Sequence, residues 1–186
     1  MKKDLGVLRK GLSYASIGRY DEAVAIFNKI LADSPDDKEA LLCKAGALSR
    51  MGSFAKALES IEKVLECYEA VIKLDPEYPK AWYNKGVVLS DIRLYNEALR
   101  CYEEVLRINP GVAVVWTNKG YCLAMLNRYE EALECLDRAL DINPEDLTAL
   151  GNKAAALRRL GRDEEAAEYD EKVKELMITR GPHTVI

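Results

Sequence analysis

The sequence predicts an all-α solenoid, a row of about five stacked helical hairpins. Two observations predict it: identical residues recur every 34 positions, and each period reads as two short amphipathic helices separated by breaks. Pro76, Pro110 and Pro144 lie 34 apart, as do Asn84, Asn118 and Asn152, and Ala98, Ala132 and Ala166. Trp82 and Trp116, and Gly86 and Gly120, keep the same interval. Self-similarity at a period of roughly 20–50 residues marks a repeat architecture. A lone hairpin cannot bury both its faces, so each unit must stack on its neighbours.

The third unit, 79–112, shows the pattern most plainly. Trp82, Gly86 and Leu89 stand at i, i+4 and i+7, one face of a helix over about 79–92. Arg93-Leu94-Tyr95 breaks it, and Ala98, Tyr102 and Val105 repeat the spacing along a second helix to about 108. Pro110 cannot continue that helix, because its ring lacks the N–H and forces the preceding residue towards extended backbone. The other units, 4–37, 38–78, 113–146 and 147–180, break in corresponding places. Within hairpins the breaks are Gly18-Arg19-Tyr20, Gly52-Ser53-Phe54 and Gly161-Arg162-Asp163; between units they are Ser34-Pro35, Asp75-Pro76 and Asn143-Pro144. Gly86 and Ala98 leave room for two helix backbones to approach, while Trp82 and Tyr102 fill the wider parts of the groove. The reading is one solenoid over 1–180 and a mobile tail, 181–186.

The second unit is longer. Pro35 to Pro76 is 41 residues, seven more than the period. The addition falls in the second helix, from Phe54 to about Leu74, where Ala57, Ile61 and Val64 fit the pattern counted forward and Val64, Tyr68 and Val71 fit it counted back. Seven residues fall about 20° short of two full turns, so the apolar stripe survives and the helix lengthens by roughly 10 Å.

Composition limits the function. Apolar residues make up 49 % of the 186 and charged residues 31 %, with a net charge of −4. A protein built to hold nucleic acid or an anionic membrane needs a basic surface, so neither partner is expected. No apolar run approaches the roughly 20 residues that span a bilayer. Cys43, Cys67, Cys101, Cys122 and Cys135 are odd in number and form no C-x-x-C pair. The only histidine is His183, so no metal set is completed and no cofactor is implied. Reduced thiols in a cytoplasmic protein is the resulting expectation. No phosphate loop or nucleophile elbow occurs, and paired acids such as Glu103-Glu104 sit on solvated helical faces, so no enzyme is expected.

Trp82-Tyr83-Asn84-Lys85-Gly86, Tyr95-Asn96-Glu97-Ala98, Tyr102, Val105 and Asn109-Pro110 resemble a tetratricopeptide repeat, and Trp116 to Pro144 matches nearly as well. The first unit keeps Gly11, Tyr14, Ala23, Phe27 and Pro35; the fifth keeps Gly161 and Ala166 but has Ala154 in the glycine position. The resemblance implies a right-handed α-α superhelix and a scaffold for protein or peptide partners. It also implies that the first helices line a concave groove, which sets Asn84, Asn118 and Asn152 in a row along it. Each amide offers a donor and an acceptor to the backbone of an extended peptide. Lys80, Tyr83, Val87, Thr117 and Tyr121 share that outward side, the tyrosines, Val87 and Thr117 supplying small apolar pockets. Arg158 and Arg159 at the far end are placed to meet a carboxylate.

The groove lacks the lysine, arginine and asparagine clamp with which family members grip chaperone C-termini: Leu8, Leu12, Tyr83 and Val87 occupy its places. The lysine row Lys10, Lys44, Lys85, Lys119 and Lys153 reads as solvated heads on buried stems. Cys67, Cys101 and Cys135 read as half-buried small hydrophobes. The alternative function is self-association, as a homodimer through the lengthened second-unit helix or through a last helix that leaves Tyr169, Val173, Leu176, Met177 and Ile178 uncovered.

Overall fold

The computed structural model describes residues 5–51 and 57–180. Among them ten helices follow in chain order with no strand: α1 (Leu5–Ser16), α2 (Tyr20–Asp33), α3 (Lys38–Arg50), α4 (Ala57–Leu74), α5 (Pro79–Asp91), α6 (Tyr95–Ile108), α7 (Ala113–Met125), α8 (Tyr129–Ile142), α9 (Leu147–Arg159) and α10 (Asp163–Arg180). The all-α repeat class expected from the period is the class observed. The chain forms two compact units, Met1–Val88 and Leu89–Ile186, and the division falls inside α5. The turn expected at Gly52-Ser53-Phe54 and the tail 181–186 lie outside the described residues.

In the first unit α1 packs on α2, α2 on α3 and α3 on α4. Phe27 is fully buried beside Gly11, where an added Cβ would stand 2.5 Å from the ring. Leu41, Val64, Tyr68, Val71 and Ala81 form a second cluster. Val64, Tyr68 and Val71 are the stripe counted back from Pro76, and Ile61 is half-buried above them. At 18 residues α4 exceeds the 14 of α2, α6 and α8. Its expected start at Phe54 lies outside the described residues.

In the second unit α7 packs on α6, α8 and α9, and α9 also on α8 and α10. The close approach sits at Gly120, where an added Cβ would meet Leu136 Cγ at 2.8 Å and the Ala132 carbonyl oxygen at 3.2 Å. Leu136, Ala139 and Ala149 carry the core across to the last hairpin, and Ala154, Ala156, Leu157 and Ala166 complete it there.

Each described hairpin turn is closed by one left-handed residue. Gly18 and Gly161 have φ of 80° and 74°, while Arg93 and Asn127 take the same region at 63° and 60°. The next N–H then donates to a carbonyl five residues back: Arg19 to Tyr14, Leu94 to Leu89 and Arg128 to Leu123 at 2.9 Å, and Arg162 to Leu157 at 3.0 Å. This closure satisfies helix-end carbonyls that would otherwise lack donors.

Successive hairpins are tied by polar contacts that repeat with the period. Lys85 pairs with Glu69 at 2.9 Å and Lys119 with Glu103 at 3.2 Å, and Lys153 pairs with Asp137. Each tie joins a first helix to the second helix of the preceding hairpin, always 16 residues back. The lysine side chains keep only 12–19 % exposure. The expectation of solvated lysine heads is therefore corrected at these three positions: the stems are buried as foreseen, but the ammonium groups meet carboxylates. The tryptophans also do more than fill space. The indole N–H of Trp82 donates to the Pro76 carbonyl and that of Trp116 to the Pro110 carbonyl, both at 2.8 Å, which fixes the loop entering each hairpin.

Two glycine substitutions of opposite sign test this packing. Gly120→Ala must displace Leu136 and press on backbone, and it is expected to destabilise the protein by about 1–3 kcal/mol. Gly151 lies in α9 with nothing near its missing Cβ. Gly151→Ala is therefore expected to stabilise by up to about 1 kcal/mol. Denaturant unfolding of both variants measures the two values, and equal effects would refute the close approach at Gly120.

Candidate functional site

First helices present two clefts, one in each compact unit. In the first unit, Leu12 of α1, Lys38, Leu42 and Cys43 of α3, Tyr78 just before α5 and Lys80 of α5 line an open cleft of about 700 Å³. Lys38 is already engaged there, paired with Asp75 at 2.7 Å and lying 5.5 Å from the centre of the Tyr78 ring. Lys80 is exposed. Tyr83, Asn84 and Val87 are half-buried on α5 and do not line this cleft.

In the second unit α7 and α9 enclose a smaller cleft of about 260 Å³. Tyr121 and Met125 come from α7, one turn apart, and Asn152, Ala155 and Arg159 from α9, with Tyr129 and Asn127 at the edge. Tyr121 is 39 % and Met125 45 % exposed, so the floor is apolar surface open to solvent. The Tyr121 ring stands edge-on to Tyr95, centroids 6.2 Å apart. Burial and then the Tyr95 hydroxyl push its phenol above the ordinary value, so it stays neutral.

Of the residues expected to line a groove, the structure thus gathers Tyr121, Asn152 and Arg159. Asn118 is half-buried one turn before Tyr121 and does not line the cleft. Two expectations are corrected. Thr117 is buried at 2 % exposure, and its hydroxyl donates to Asp146 Oδ2 at 2.9 Å. Asp146 also caps α9, its Oδ1 accepting from the backbone of Thr148 and Ala149. Thr117 therefore braces the next helix and is closed to a ligand. Arg158 pairs with Asp170 of α10, because one residue turns the side chain about 100° from Arg159 around the helix. Met125, Ala155 and Tyr129 were not among the expected residues. The spacing from Tyr121 to Met125 and from Asn152 to Ala155, four and three residues, is the signal that finds the first two.

A third cleft, about 510 Å³, lies on the other side of α7 and is lined by Glu103, Lys119, Arg128, Glu131, Asp137 and Arg138 among others. Two of its ion pairs are internal: Lys119 meets Glu103, and Arg128 meets Glu131 at 2.6 Å. Cys135 also lines it, and burial pushes that thiol up to about 11, so it is protonated and unreactive. Among the described residues no group of three or more histidines, cysteines and acids is placed to hold a metal.

Family models described as Tetratricopeptide repeat match residues 16–68, 79–112, 113–146 and 147–178. Nothing matches among curated proteins. Among solved structures the chain is similar to the ArsTM double mutant of RS-1 MamA, with a TM-score of 0.85 and 24 % identity over 94 % of this chain and 95 % of that one. A crystal structure of MamA gives 0.84 and 19 % over 97 % and 98 %. MamA from residue 41 to its end, from Desulfovibrio magneticus RS-1, gives 0.84 and 24 % over 96 % of each chain. At these identities the likeness is one of fold.

Cysteine reactivity checks the burial on which this description rests. Cys67, Cys101, Cys122 and Cys135 are buried and Cys43 is half-exposed, a correction to the half-buried state expected of the repeated three. Burial raises the Cys67 and Cys122 thiols as well as Cys135. At about pH 8 a thiol reagent is expected to modify Cys43 quickly and the other four only on unfolding. Rapid modification of all five in the folded protein would contradict the packing.

Proposed function

The chain belongs to the tetratricopeptide repeat family and is a protein-interaction scaffold, and we propose that it works by holding an extended peptide segment along its first helices. In this reading the hairpins over 1–180 act as one solenoid in the cytoplasm. Asn84, Asn118 and Asn152 grip the backbone of the segment, with Tyr83, Val87, Tyr121 and Lys80 beside them. The observation that carries the reading is the cleft between α7 and α9, where the Asn152 amide, an apolar floor and the Arg159 guanidinium converge.

Packed helices lie about 8–10 Å apart. An extended chain advances about 3.3 Å per residue, so amides on consecutive first helices meet roughly every third residue of a segment laid across them. Asn118 and Asn152 hold equal places on α7 and α9, which pack on each other. Asn84 belongs to the other compact unit and enters the reading through its place in the period. The family is typically non-catalytic, and the cleft supports the same role here. Its lining combines apolar side chains with two tyrosines, two asparagines and one arginine, a set suited to holding a segment. No helix among the described residues is long and apolar enough to cross a membrane.

A second reading, self-association, is favoured by α10, where Met177 and Ile178 are 61 % and 78 % exposed. Light scattering of wild type against Met177→Ser/Ile178→Ser decides it: a dimer that dissociates in the variant supports this reading, and a monomeric wild type removes it.

The groove reading is tested by selecting peptides from a random displayed library on wild type and on Asn118→Ala/Asn152→Ala. Losing several backbone hydrogen bonds of about 0.5–1.5 kcal/mol each is expected to weaken selected peptides by about tenfold or more. A folded variant that binds every selected peptide as tightly as wild type would refute the ladder.

A further inference from the structure

Small-molecule sites usually enclose about 300–1,000 Å³. The cleft between α7 and α9, at about 260 Å³, is below that range and has room for a single large side chain. Its floor, from Tyr121, Met125 and Ala155, is mainly apolar, and Arg159 is the one charged residue lining it. The neighbouring guanidinium groups have intramolecular carboxylates: Arg158 has Asp170, Arg128 has Glu131 and Arg162 has Glu165. Arg159 has no such partner among the described residues, and it is exposed. A guanidinium is always charged and presents a planar fork that matches a carboxylate.

We propose that the bound segment carries an aliphatic or aromatic side chain for this cleft and an aspartate or glutamate that pairs with Arg159. The inference rests on the groove reading and adds the chemistry of the partner. Its spacing follows from the helix. Asn152 and Arg159 lie seven residues apart on α9, about 10 Å along its axis, which an extended chain covers in about three residues. The acidic side chain therefore stands within about four positions of the backbone group held by Asn152, with the apolar anchor between or beside them. The charge comes from a side chain inside the segment, so a free C-terminus is not required.

The probe is a degenerate octapeptide library, acetylated and amidated at its ends so that only side chains carry charge. It is selected on the full chain, on Arg159→Gln and on Tyr121→Ala, each checked for folding by circular dichroism. Wild type is expected to enrich peptides with one large apolar residue and an acid within four positions. Replacing the acid of a selected peptide by its amide, or using Arg159→Gln, is expected to weaken binding about tenfold. The two changes together should cost no more than either alone, since they remove one interaction. Tyr121→Ala is expected to erase the preference for the apolar anchor. Peptides selected without an acid, or losses that add instead of coupling, would overturn the inference; the groove reading would stand provided Asn118→Ala/Asn152→Ala still weakens those peptides. Failure of the wild type to select any amidated peptide while selecting free-acid ones would also overturn it. Selection of nothing in either form would sink both readings.

Discussion

A helical hairpin of this length has two faces to bury and only one partner helix of its own, and the rest of the structure follows from that imbalance. The face inside the hairpin closes only where backbones approach closely, as at Gly120 against Ala132 and Leu136 and at Gly11 against Phe27. The second face must be covered by the next hairpin. Apolar contact supplies most of the driving force but no register, since it is non-directional. Register comes from the polar ties: the lysine–carboxylate pairs 16 residues apart, the indole N–H bonds to proline carbonyls, and the Thr117 hydroxyl on Asp146. Individually such pairs contribute little when exposed. Holding three lysine stems mostly out of water gives the contacts a defined geometry.

The same economy of faces creates the site. A first helix such as α7 has α8 within its hairpin and α6 and α9 on its flanks, and what remains is a strip between itself and the next first helix. Among the described residues that strip stays open, with Tyr121 and Met125 exposed in it. The two sides of α7 differ in kind: the cleft on the opposite side is lined by many acids and bases, several of them paired, whereas Arg159 is the one charged residue lining the α7–α9 cleft. The α7–α9 cleft is the smaller of the two, and it sets an exposed apolar floor beside a single cation.

Much of this was legible in the sequence because the period fixes it. The hairpin breaks, the proline ends, the long second helix and the glycine close approach all follow from spacing and local sterics. The turns were legible as breaks, but their mechanism was not: Arg93 and Asn127 adopt the left-handed backbone of Gly18 and Gly161 without glycine's freedom, because the closing hydrogen bonds and the next helix impose it. Thr117 reads as a groove residue on its own helix, but its partner, Asp146, is 29 residues away, and no helical wheel contains a residue of another helix. Arg158 and Arg159 are adjacent in sequence, but about 100° of helix rotation and the pairing of Arg158 with Asp170 separate them. The lysine row was seen as a row, but its acidic partners repeat too, at Glu69, Glu103 and Asp137, and pairing the two rows by their common offset of 16 is the step the sequence permits.

The period also explains why the cleft is where it is. Residues that recur at every unit build the stack, so they carry no information that distinguishes one position along it from another. Specificity must come from positions that share a place in the repeat but differ in residue. Val87, Tyr121 and Ala155 occupy one such place, and Asp91, Met125 and Arg159 another. Between α7 and α9 this sets Tyr121 with Ala155 and Met125 with Arg159, a bulky residue on one helix and a short or charged one on the next. The mismatch leaves a hollow beside a charge, while the repeated asparagine stays the same on both helices. In the groove reading proposed above, a constant element suited to any backbone is flanked by variable elements suited to particular side chains, a division of labour that would let one scaffold geometry serve different segments. In this chain the variable elements in the second unit read as apolar and cationic.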